Sequence, residues 1–145
     1  MMSLCLAPVL LLGSLMTSQV TTHVSPATER TTGSGVLAEV MTCDTGLGLD
    51  AKASTNGLYA VDLQYGLKLT RGNFSLAFIP KGGVSYADHE VKELPQQTQF
   101  SVGAQLLGSY KDFNVGVELW HLSNAGMTDR NVGLNMIALQ TGWRF

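Results

Sequence analysis

The chain has 145 residues, room for one domain and little more. Hydrophobic residues make up 45 % and charged residues only 14 %, which excludes a disordered, highly charged chain. The net charge is −2 with no basic run, which argues against a nucleic-acid partner held by its phosphates.

In chain order, the amino-terminal run comes first. Leu4 to Met16 carries no charge and is rich in leucine. It is shorter than the roughly 20 apolar residues of a membrane-spanning helix and suits the apolar core of a signal peptide. No Lys or Arg precedes it, and the small residues around Thr17 and Ser18 are the best cleavage site. Residues 1–18 then form a leader and 19–145 the remaining domain; the alternative is an apolar strand or hairpin belonging to the fold. Cys5 and Cys43 allow at most one disulfide, and cleavage after Ser18 removes Cys5. With no C-x-x-C, a structural zinc site of that type is excluded.

The rest of the chain alternates. A short run covers Val36 to Thr42, and Asp44 to Gly57 reads as a long connection. From Leu58 the parity is clear: Tyr59, Val61, Leu63, Tyr65, Leu67 and Leu69 share one face, with Asp62, Gln64 and Lys68 on the other. The same period of two returns at Phe74 to Tyr86, Phe100 to Tyr110, Phe113 to Leu119 and Ile137 to Phe145. A period of two is the mark of a strand with one apolar and one polar face.

These runs predict an all-β fold, a small antiparallel transmembrane β-barrel with its apolar face turned to lipid. Strands of about 10 to 14 residues suit a tilted crossing of the bilayer. Aromatic residues gather near strand ends, as in interfacial girdles. The closing Phe145, with apolar residues at alternate positions before it, resembles the assembly signal of bacterial outer-membrane proteins. Tight connections at Thr70–Gly72 and Lys111–Asp112 alternate with long ones, as short periplasmic turns alternate with external loops. The strand from Phe113 to Ser123 therefore ends at the external rim. Six strands are legible where such barrels start at eight. The other two come from Gln19–Gly33, from the amino-terminal run or from a break near Pro80–Gly83. A soluble barrel with the same residues turned inward is the alternative architecture.

The chemistry concentrates in Trp120-His121-Leu122-Ser123-Asn124-Ala125-Gly126 and Asn131-Val132-Gly133-Leu134-Asn135. His121 and Ser123 share the lipid-facing parity of Phe113 to Leu119. A histidine and a serine there are costly unless they pair or serve a function. Histidine is the usual base that activates a serine nucleophile. The bland alternative is a polar strand end meeting lipid headgroups.

The run His-x-Ser-Asn-Ala-Gly, followed by Asn-x-Gly-Leu-Asn and a last strand ending in Arg-Phe, resembles the lipid A 3-O-deacylase (PagL) and acyloxyacyl-hydrolase-like outer-membrane family over about the last 30 residues. The resemblance implies an eight-stranded barrel in the bacterial outer membrane. It implies a site on the outer wall that removes the 3-position acyl chain of lipid A by ester hydrolysis, without cofactor or metal. It implies Ser123 as nucleophile and His121 as general base, with Asn124 and the backbone around Gly126 on the oxyanion and Asn131 supporting the loop. The partners implied are lipopolysaccharide and the outer membrane; a homodimer stays open.

One position departs from the family, which carries Glu where this chain has Asn135. By parity Asn135 lies on the outer face with Ile137, Leu139 and Trp143, placed to reach His121 from the neighbouring strand. Its amide oxygen can accept the Nδ1 hydrogen but adds no charge. A catalytically weak or inactive barrel with a structural or interaction role is therefore the alternative function. Glu118 points to the lumen, and Asp129 is a second candidate for the third member. His23, and His89 within Asp88-His89-Glu90, read as solvated loop residues. Gly33-Ser34-Gly35 and Lys81-Gly82-Gly83 lack the strand–helix setting of a phosphate loop.

Overall fold

A computed structural model describes residues 5–21, 32–87, 98–123 and 132–145. It is a closed barrel of eight antiparallel strands in sequential order. These are β1 (Val9–Thr21), β2 (Thr32–Met41), β3 (Gly46–Ser54), β4 (Leu58–Arg71), β5 (Phe74–Ala87), β6 (Thr98–Tyr110), β7 (Phe113–Ser123) and β8 (Val132–Arg144). β8 returns to β1 over a ladder from Val9↔Arg144 to Thr21↔Val132, which closes the sheet on itself.

The alternation sets which face is which. Tyr59, Val61, Leu63, Tyr65, Leu67 and Leu69 of β4 are exposed on the outer wall, while Leu58, Ala60, Asp62 and Gln64 are buried inside. Exposed apolar side chains continue around the barrel through Phe78, Val102, Leu106, Val115, Leu119 and Leu139. A soluble barrel would show the reverse, so the apolar wall is the lipid face. At one end Phe74 meets Tyr110 at a tilt with ring centroids 4.7 Å apart, and Phe113 meets Trp143 edge-on at 5.7 Å. At the other end Tyr59 lies opposite Tyr86. These pairs form the two girdles.

The expected eight strands are present, two more than the six legible in the sequence. One missing strand lies within Asp44–Gly57, which is β3 with a short turn on either side rather than a long loop. Its charges misled the reading: Asp50 and Lys52 point into the lumen and pair there, Nζ to Oδ2 at 3.0 Å. The other missing strand comes from the leucine-rich amino-terminal run, one of the sources expected for it, which forms β1. Val9 and Leu11 fill the lumen, Leu10 and Leu12 face outward, and both neighbouring strands bond to it. Pro80–Gly83, another of the sources considered, is not a break. β5 runs through it, although the β4–β5 ladder skips from Gln64↔Lys81 to Leu67↔Phe78, beside the proline that has no N–H to give.

The lumen is filled in layers. Leu37, Leu58, Trp120, Leu122, Leu134 and Met136 belong to one apolar cluster. Val9, Leu11, Met41, Ala77, Ile79 and Leu107 form another near the short turns. Between them lies a polar belt of Glu39, Asp50, Lys52, Asp62, Lys81, Gln105, Glu118 and Gln140, all buried. Lys52 Nζ lies 2.6 Å from Glu118 and 2.7 Å from Asp62. Lys81 pairs with Glu39 and lies 3.1 Å from Asp50. Each charge gains a partner in a low-dielectric interior where an isolated charge would be very costly.

Candidate functional site on the outer wall

His121 lies near the end of β7, three residues into the rim that faces away from the short turns. The β7–β8 register sets it directly opposite Asn135. Both side chains point outward, since Trp120, Leu122, Leu134 and Met136 between and beside them are buried. His121 Nδ1 lies 2.6 Å from Asn135 Oδ1. An amide oxygen only accepts, so the ring donates Nδ1–H and keeps the Nε2 lone pair free. Ser123, two residues on, ends β7 on the same face, half-buried and opposite Phe100 of β6.

Below this pair the wall is dented. A depression of about 460 Å³ is lined by Val102, Ala104, Leu119, His121 and Asn135, with the strand backbone at its floor. Its origin is side-chain size: Ala104 sits between the larger Val102 and Leu106 on the outer face of β6, opposite Leu119. Gly103 beside it permits the close approach of β6 and β7, because a Cβ there would come 2.7 Å from the Leu119 carbonyl oxygen. The walls are mainly aliphatic, with the imidazole and amide at the upper edge.

The lumen side of the same strands is reinforced. Trp120 Nε1 donates to Ser101 Oγ, and Lys52 Nζ lies 4.8 Å from the centre of the indole ring. Glu118 is buried and bound to Lys52, so it cannot serve His121. This backing was missed in the sequence, where inward charges on separate strands carry no local signal. Asn124, Gly126, Asn131 and Asp129 lie outside the described residues, as do His23 and His89. Among the described residues Glu39, Asp50 and Glu118 offer carboxylate oxygens close enough to share a metal ion. Lys81 Nζ already reaches all three, so an ammonium occupies the position a cation would take.

Comparison with known proteins agrees with the fold. The outer-membrane enzyme PagL superposes with a TM-score of 0.59 at 15 % identity, over 90 % of this chain and 98 % of that one. Ail, the attachment invasion locus protein of Yersinia pestis, gives 0.54 at 12 % identity over 97 % and 99 %. OprG, an outer-membrane protein of Pseudomonas aeruginosa, gives 0.50 at 10 % over 97 % of each. At such identities these likenesses establish the barrel, not the activity. No curated protein matches the chain. Residues 32–144, from β2 to the end of β8, match the family described as lipid A 3-O-deacylase (PagL). An outer-membrane barrel by fold and location, the chain belongs to the lipid A 3-O-deacylase family.

Proposed function

We propose that the protein is an outer-membrane serine esterase that removes the 3-O-linked acyl chain of lipid A. The observation that carries this reading is the His121–Asn135 pair, held on the lipid-facing wall above an aliphatic depression. A soluble substrate gives no reason to turn a polar pair towards lipid. Lipid A does, because its ester bonds lie at the headgroup boundary and its acyl chains run down the wall.

In this reading Asn135 fixes the ring so that Nε2 accepts the Ser123 hydroxyl proton as Oγ attacks the ester carbonyl. Asn124 and the backbone around Gly126 steady the oxyanion. The imidazolium returns the proton to the departing sugar hydroxyl, and water then releases the fatty acid by the same route. The depression receives the aliphatic chain, and neither cofactor nor metal is required. A second reading rests on the amide itself. Replacing a triad carboxylate by an amide costs about 10⁴ in kcat in a serine protease, which would leave a barrel with little hydrolysis.

Mass spectrometry of lipid A from a Gram-negative host expressing the chain separates the two readings. Loss of one hydroxy-acyl chain is expected, and it disappears with Ser123→Ala or His121→Ala while the barrel still folds. Nucleophile and base act as a unit, so each variant is as inactive as the other. Unchanged lipid A in cells with folded wild-type protein favours the second reading.

A further inference from the structure

We propose that Cys5 and Cys43 form a disulfide in the mature protein, tying the start of β1 to the β2–β3 turn. The placement comes from the ladder. The β1–β2 register begins at Val9↔Met41, and before it Ala7 N donates to Thr42 O at 2.8 Å, one residue out of that register. This bond sets Ala7 beside Thr42, so Cys5, two residues before Ala7, and Cys43, one residue after Thr42, are diagonal neighbours on adjoining segments. Diagonal neighbours on adjacent strands are within side-chain reach, and the nearness of the Cys5 thiol is one of the causes that raise the Cys43 thiol pKa. Neither sulfur is otherwise committed to a covalent bond.

The location supplies the chemistry. The turn bearing Cys43 lies at the short-turn end, which in an outer-membrane barrel is the periplasmic end. Disulfides form and persist in that compartment. The more exposed Cys5 thiolate attacks the disulfide of a thiol–disulfide oxidoreductase and forms a mixed disulfide. The Cys43 thiolate then displaces the donor sulfur. The two thiols lose two protons and two electrons, and the donor leaves as a dithiol. In the closed barrel Cys43 is buried, and that burial, with the nearness of the Cys5 thiol, pushes its thiol up to about 11. Oxidation therefore belongs to the stage before the barrel closes around it.

The neighbouring contacts say what the bond would do. Asp44, next to Cys43, binds Lys68 at 2.9 Å and also binds Arg144 at the end of β8. Phe145 N donates to Pro8 O at 2.9 Å. The disulfide would add a covalent tie at the corner where β1 and β8 meet, the seam of the barrel. The inference is independent of the esterase reading.

The full chain, exported in a Gram-negative host and purified without reductant, is unfolded in dodecyl sulfate and treated with a thiol alkylator. The expected result is no labelled cysteine before reduction and two after it. The unreduced intact mass should be lower by two hydrogen atoms. Cys5→Ser and Cys43→Ser should each show one labelled thiol, and each should lower the temperature at which the barrel unfolds on a gel to that of reduced wild type. Two labelled thiols in unreduced wild type overturn the proposal. A mature chain lacking Cys5, or a bond between two chains, overturns it equally.

Discussion

At the scale of single residues, on the proposed reading Asn135 sets how fast the site runs. Its oxygen lies 2.6 Å from His121 Nδ1, close enough to fix the ring but without charge to stabilise imidazolium. Asn135→Glu supplies that charge at the same place. Deacylation faster by about an order of magnitude is expected, short of the full effect because the surroundings are adapted to an amide. Asn135→Ala should be slower than the parent. Rates of the three proteins at one pH and one detergent concentration check this; equal rates for Ala and Asn with no gain for Glu remove Asn135 from the mechanism. The pairing was legible because parity alone puts Asn135 and His121 on one face and a short sequence separation puts them on adjacent strands. The part played by Asn124, Gly126 and Asn131, which lie outside the described residues, was not legible, since their segment carries no period to place them.

At the scale of elements, strands with one apolar face could be read, and strands that break the pattern could not. β4 to β8 present long apolar side chains outward, so period two stands out. β3 presents only Leu47, Leu49, Ala51 and Ala53 outward, and its inward Asp50 and Lys52 look like a solvated loop until their partners on other strands are known. β1 is apolar on both faces over Val9 to Leu12, because it crosses the apolar lower layer of the lumen; that composition is shared with a leader. We infer that β1 remains in the working barrel. Deleting residues 9–21 should leave β2 and β8 without partners along the ladder. The expected outcome is loss of the heat-modifiable gel band that marks a folded barrel. A normal band from the deleted chain would mean that closure does not need this strand.

At the scale of the whole molecule, the polar belt holds the eight strands in one register. Lys52 touches carboxylates from three strands, Asp50 of β3, Asp62 of β4 and Glu118 of β7, at 3.0 Å or less. Lys52→Met keeps the bulk but leaves buried carboxylates short of a cation. Removing one partner of a buried ion pair typically costs about 3–5 kcal/mol. Urea unfolding in detergent should show a loss of that order, with part recovered by adding Asp62→Asn. A change within error would mean that Lys81 alone serves the belt. None of this belt was readable as a unit, because its members are scattered from Glu39 to Gln140 and only barrel closure brings them together.

Two apolar layers around a paired ionic belt pack the described lumen, so among the described residues it is the exposed outer wall that is left to meet a partner. The working surface then borders a two-dimensional fluid. Encounter on the proposed reading is lateral: a lipid diffuses within its leaflet until its headgroup meets His121. The governing concentration is moles of lipid per area of membrane. Diluting substrate with inert detergent at constant bulk concentration should therefore slow the reaction, whereas diluting the whole suspension with buffer should scarcely change turnover per barrel.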